Sequence, residues 1–152
     1  MKSVNIKKQK GFTLAELVVV MLVIGLLLYG LTTGFGRFRE TSKETIMKSF
    51  ILDKFPSAVS SHIARIGTIA GITKTDIVNN GAKADTPWGD SWTVTGPVNS
   101  RLTLTIPLVS SSYADVTGSD LVSSIISAKA SQIVSISYDS TSKNLTLVVQ
   151  GA

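Results

Sequence analysis

No cysteine occurs among the 152 residues, which excludes disulfide staples, thiolate zinc sites, iron–sulfur clusters, thiol nucleophiles and acylation on a cysteine. Histidine occurs once, as His62, and aromatic residues make up only 7%. An enzyme needs a nucleophile with a base, paired acids or a metal cluster, and none stands out among many Ser and Thr residues with one His. The expectation is therefore a chain without catalysis. A basic surplus is also missing from most of the sequence. The formal charge is +5, but Lys2, Lys7, Lys8 and Lys10 fall in the first ten positions, and without them 11 basic residues face 10 acidic ones. Nucleic acid is not indicated as a partner, and the length allows one modest domain.

What the chain has is one long apolar run. Leu17 to Leu31 carry no charge and are interrupted only by Gly25 and Gly30. From Phe12 to Gly36 the single charged side chain is Glu16. A helix over that stretch covers roughly 37 Å at ~1.5 Å per residue, enough to cross a hydrocarbon core of about 30 Å. Four Lys before the run, against Arg37 and Arg39 soon after it, predict a cytoplasmic N-terminus and an exported remainder. A secretory signal would end in a small-residue cleavage site, for which Tyr-Gly-Leu-Thr-Thr-Gly is a poor substitute. A plain single-span anchor explains the run but leaves Glu16 unexplained.

An acidic side chain in such a segment costs on the order of 2.5–3.5 kcal/mol at mid-bilayer and less near the interface. Two readings are open. Glu16 can snorkel toward the headgroups, which its shallow position permits. Alternatively, a cut between Gly11 and Phe12 would create an α-amine able to pair with the carboxylate of a neighbouring subunit, an attraction from which desolvation takes back much of the gain.

Lys-Lys-Gln-Lys-Gly11-Phe12-Thr13-Leu14-Ala15-Glu16 and the run that follows resemble the type IV prepilin signature, across about residues 7–31. The resemblance implies that a membrane-embedded prepilin peptidase cuts after Gly11 and methylates Phe12. It implies that Glu16 is the assembly residue, and it matches the Gly inside the apolar segment to Gly25. Cutting ahead of the run keeps that helix in the mature protein, first as an anchor and then as the packing core of a fibre. The implied partners are further copies or other pilins, the peptidase, the inner-membrane assembly machinery and, before assembly, the membrane itself. The implied location is the inner membrane, single-pass with the N-terminus cytoplasmic, then an extracellular pilus or a periplasmic pseudopilus.

Past the lipid-length segment, Leu52, Phe55, Val59, Ile63 and Ile66 mark one face of an amphipathic helix, with Glu44 and Lys48 as an i,i+4 pair on exposed turns. The spacing predicts a nearly continuous helix from Phe12 to Ile66, kinked at Pro56. Many type IV pilins carry a Pro just beyond the apolar run; here Thr33 lies among Gly30, Gly34 and Gly36, a stretch expected to loosen when subunits pack into a fibre.

After Ile66 the chain turns to Ser, Thr, Gly and Asn with short β-rich runs. A helical turn is expected over Thr73–Asn80, stopped by Asn80-Gly81, then a Pro87-Trp88-Gly89 turn. A hairpin of Ser91–Thr95 and Arg101–Ile106 is expected around Gly96-Pro97 and Asn99. A helix capped by Ser119 or Asp120 should run to Ala130 with Leu121, Val122, Ile125 and Ile126 inward. Strands Gln132–Tyr138 and Asn144–Gln150 follow, joined by a turn over Asp139–Lys143. The fold class is thus α+β: a long N-terminal helix, half transmembrane and half amphipathic, packed on a small antiparallel β-sheet head in the pilin manner. The expected segments are a leader 1–11, a transmembrane helix 12–36, an amphipathic half 37–66 and a head 67–152. This order of elements is similar to the head of type IVb pilins, whereas the short leader and Phe12 look more like the type IVa class. Pilin heads often carry a C-terminal disulfide, from which this chain departs. Pro-Trp-Gly is similar to major pseudopilins of type II secretion, which bind calcium in a C-terminal loop.

His62 is expected to be structural or solvated, and Trp88 and Trp92 to pack. Asp85, Asp90, Asp115, Asp120 and Asp139 could supply oxygen ligands to calcium but lack the dense spacing of a loop site, so no metal residues and no cofactor are assigned. Asn144-Leu-Thr matches a glycosylation sequon that arises often by chance. Three functions compete: a pilus subunit, a type II secretion pseudopilin, and a single-span membrane protein with a small periplasmic binding domain.

Overall fold

The computed structural model describes residues 12–128 and 130–150, so the leader 1–11, including Gly11, lies outside the described residues. The helices are α1 (Leu14–Ser49), a π turn (Phe50–Lys54), α2 (Phe55–Ile66), α3 (Lys74–Asn79) and α4 (Ala114–Ser127). The strands are β1 (Thr93–Val98), β2 (Arg101–Pro107), β3 (Ile133–Asp139) and β4 (Asn144–Gln150). The fold is α+β, a long N-terminal helix with a small antiparallel sheet in the order β1-β2-β4-β3. The chain forms two compact units, one up to Phe38 and one from Arg39 onward.

In the first unit, every residue from Phe12 to Thr32 is exposed, and the stretch is long and apolar enough to cross a membrane. In this single chain α1 runs unbroken through residues 30–36; the three glycines there, at about 1 kcal/mol each in helix propensity, do not interrupt it.

The second unit holds one core, in which Met47, Phe50, Ile51 and Phe55 cluster with Leu104 and Leu147. The expected kink at Pro56 takes a specific form. Pro56 has no N–H to donate to Leu52, and the helix widens just before it: the Phe55 amide donates to the Phe50 carbonyl, five residues back. The wider turn makes room for the proline ring. It also puts Phe50, Ile51 and Phe55 inward together, so the buried face starts at Met47 and includes Ala58 and His62. Phe55 and Val59 are buried as expected, and Leu52 and Ile63 are half-buried. Ile66 is 52% exposed, against expectation, because it ends α2 just before a left-handed Gly67. The Glu44–Lys48 pair forms at 2.9 Å, on half-buried rather than exposed turns.

One face of the sheet is apolar by strict alternation: Leu102, Leu104 and Ile106 of β2 lie beside Val149, Leu147 and Leu145 of β4, all buried. The first hairpin differs from the expected one. Its turn is the pair Asn99 and Ser100, at φ 52° and 59°, which matches the right-handed strand twist as a type I′ turn does. Gly96 and Pro97 lie inside β1 as an irregularity. Gly96 is at φ +113°, and a Cβ there would meet the Arg101 carbonyl oxygen at 2.8 Å, so glycine is required.

α3 forms as expected, capped by Thr73 and Asp76 in a reciprocal box. α4 starts at Ala114, five residues before the predicted cap. Ser119 and Asp120 are inside it, Ser119 Oγ donating to the Asp115 carbonyl at 2.8 Å, and Ile126 is 61% exposed. Its buried side is Ala114, Thr117, Gly118, Leu121 and Ile125. Gly118 weakens the helical signal in the sequence, yet tertiary packing demands it: a Cβ would meet the Tyr138 ring at 2.4 Å. Gly118→Ala should therefore destabilise the protein by about 1–3 kcal/mol through overpacking. Thermal unfolding of the full chain in detergent should show a midpoint lower by roughly 5 °C or more; an unchanged midpoint contradicts this packing.

Candidate functional site

The site predicted from sequence lies at the first turn of α1. Phe12 is 84% exposed and precedes the helix. Thr13 and Glu16 form a reciprocal cap. Glu16 Oε2 accepts from the Thr13 backbone N–H at 2.9 Å and from its hydroxyl at 3.0 Å, while Thr13 Oγ1 accepts from the Glu16 N–H at 3.3 Å. The Thr13 carbonyl takes the first helical bond, from Leu17, at 3.2 Å. Amide donors left open at a helix start are thereby satisfied. This is a role for Glu16 that the sequence reading missed, although Thr-x-x-Glu before an apolar run is its written signal. Both recorded bonds go to Oε2, which leaves Oε1 able to accept from a further donor.

A second carboxylate matters in the other unit, and sequence reasoning did not single it out. Glu40 Oε1 accepts from Trp88 Nε1 at 2.5 Å and from Ser111 Oγ. It thus ties α1 to the Pro-Trp-Gly turn and to the loop before α4. Asp90 holds the same loop, accepting from the Ser110 amide at 3.0 Å and hydroxyl at 2.6 Å. Nothing local marks Glu40, since its partners are 48 and 71 residues away. Trp88 and Trp92 are both buried; Trp92 Nε1 donates to the Lys83 carbonyl at 2.8 Å, and Lys74 Nζ lies 4.7 Å from the Trp92 ring centre.

Three of the five aspartates considered for calcium are engaged in separate tasks. Asp90 clamps Ser110. Asp139 accepts from the Thr141 amide and Ser142 hydroxyl of its own turn. Both Asp115 oxygens accept from Lys143 Nζ at 2.7 Å, and Tyr138 donates to Oδ1 at 3.0 Å. Asp85 and Asp120 make no side-chain bond among the described residues. Among those residues no three His, Asp or Glu side chains come together to hold a metal. His62 is buried, with neither ring nitrogen hydrogen-bonded among the described residues and Nδ1 4.0 Å from Asp76.

Lys143, and then Tyr138, hold the Asp115 carboxyl below the usual range. Burial, and then the bond to Asp115, push the Tyr138 hydroxyl up to about 12. A depressed carboxyl contributes stability that is present above its unfolded value near ~4 and is lost as pH falls through the folded value. Asp115→Asn should therefore lose less stability than the parent between about pH 5 and pH 2, followed by acid unfolding of the full chain in detergent. Identical acid profiles contradict the assignment.

Comparisons with curated proteins and with solved structures found no match. Residues 6–31, which include Gly11, Phe12, the Thr13–Glu16 cap and Gly25, match the family described as the prokaryotic N-terminal methylation motif. That motif is the signature of type IV pilins and pseudopilins; it implies processing by prepilin peptidase and assembly with other pilins, and the apolar N-terminal helix fits a membrane-anchored precursor. This segment supports a type IV pilin-like or pseudopilin protein.

Proposed function

We propose that this chain is a structural subunit of a type IV pilus. A prepilin peptidase cuts it between Gly11 and Phe12 and methylates the new amine, and the α1 helices then pack into the fibre. The carrying observation is the methylation motif over residues 6–31, which takes in the exposed apolar part of α1, where Glu16 is the one charged side chain between Phe12 and Gly36. In the precursor, Thr13 offsets part of the cost of that carboxylate in lipid. In the fibre, Oε1 takes the Phe12 amine of a neighbour, a charge-assisted bond that sets axial register. On the same reading the glycine-rich stretch at 30–36 loosens as helices pack. We assign the subunit neither a catalytic step nor a cofactor. It is inserted through the inner membrane first and ends in an extracellular fibre.

A second reading, a type II secretion pseudopilin in a periplasmic fibre, is favoured by the Pro87-Trp88-Gly89 turn, whose Trp88 is locked onto Glu40. Electron microscopy of the native host separates the two. Long surface fibres containing this chain support the pilus, and their absence together with a secretion defect supports the pseudopilin.

The Thr13 cap refines the test of Glu16. Glu16→Gln keeps a capping box but removes the charge, whereas Glu16→Val removes both. Both variants should enter the membrane and both should fail to join filaments or do so out of register, measured as the fraction of chain recovered in sheared fibres. Normal assembly by Glu16→Gln would mean that the residue serves only to start the helix.

A further inference from the structure

A cavity of about 230 Å³ opens in the second unit, between the end of α1 with its π turn and the loop from Gly81 to Trp92. Met47, Phe50 and Trp92 give it a buried apolar floor, and Ile46, half exposed, lies among its walls. Lys54, Lys83 and Asp85 are the charged residues of the lining and are exposed. None of these three side chains has a hydrogen bond or ion pair among the described residues, so the cavity carries an excess of one positive charge. An apolar group with one negative charge beside it is the complement.

The same chain displays that complement on α4. Val116, 46% exposed, and Asp120 are one helical turn apart, with Tyr113, 37% exposed, three residues before Val116. Asp120 has no bond partner among the described residues, and α4 contains no Lys or Arg.

We infer that the cavity receives α4 of a second copy of this chain, Val116 and Tyr113 entering over Phe50 and Trp92 while Asp120 meets Lys54 and Lys83. This rests on the filament reading and names its contact between soluble units. Because the two surfaces differ, the contact is heterologous, and a heterologous contact that does not close propagates as a helical filament. Charge on both surfaces also fixes the register of the approach, since a like-charge partner at the cavity is rejected.

The absence of cysteine makes a direct test clean. Full chain carrying Ile46→Cys together with Val116→Cys is expressed with the host's assembly machinery, and its fibres are oxidised. A ladder of dimers, trimers and longer species is expected, and neither single variant should cross-link. In parallel, Asp120→Lys should lower the fibre yield at least about tenfold, and adding Lys83→Asp should restore it. Cross-linking that stops at dimers, links formed by a single variant, or fibres of the double variant without a ladder each overturn the inference. So does a normal fibre yield from Asp120→Lys, the outcome expected if the cavity instead takes a small apolar carboxylate. A host in which the unaltered chain forms no fibre at all overturns the filament reading itself, and the inference with it.

Discussion

One helix has to satisfy two solvents, and that requirement organises the chain. From Leu17 to Leu31 it presents apolar side chains all round, which only lipid or other helices can cover without cost. From Met47 onward it is apolar on one side only, and that side completes the core of the sheet. A soluble unit of this size has little interior of its own. The two halves therefore obey different hydrophobic patterns within a continuous backbone. Glu16 is the exception in the first half and Glu40 the anchor point in the second. Each carboxylate is accounted for by bonds in its own unit, Glu16 with Thr13 and Glu40 with Trp88 and Ser111.

The places where sequence reasoning succeeded and failed follow from range. The apolar run, β4, the helical turn at Thr73–Asn80 and the Glu44–Lys48 pair were legible because their determinants lie within a few residues. β4 alternates so strictly that both ends are readable. The start of α4 was not legible, because Gly118 argues locally against a helix and is retained for the Tyr138 ring 20 residues later. The first hairpin was misplaced for a related reason. Gly96-Pro97 carries a stronger turn signal than Asn99-Ser100, yet Gly96 is there to let the Arg101 carbonyl approach. At the helix start, Thr13 and Glu16 were readable as a capping box, but the cost of a carboxylate in lipid drew attention to partners outside the chain.

The π turn shows how a proline can be kept in a helix that must still cover a sheet. Widening the turn by one residue absorbs the ring and brings Phe50, Ile51 and Phe55 to the core together. Loop anchoring follows the same economy in a chain without disulfides: Glu40 and Asp90 fasten the segment from Leu108 to Ser112, and Lys143 with Tyr138 fastens the last hairpin to α4 through Asp115. Charge-assisted hydrogen bonds here do work that cross-links do in other small domains.

The role given to Glu16 requires that a positive amine be made at Phe12, at the head of the apolar helix. Intact-protein mass with N-terminal sequencing, on material from native membranes, reads this directly. The account predicts a chain that begins at Phe12 and carries one added methyl group. A functional protein that still begins at Met1 would contradict it.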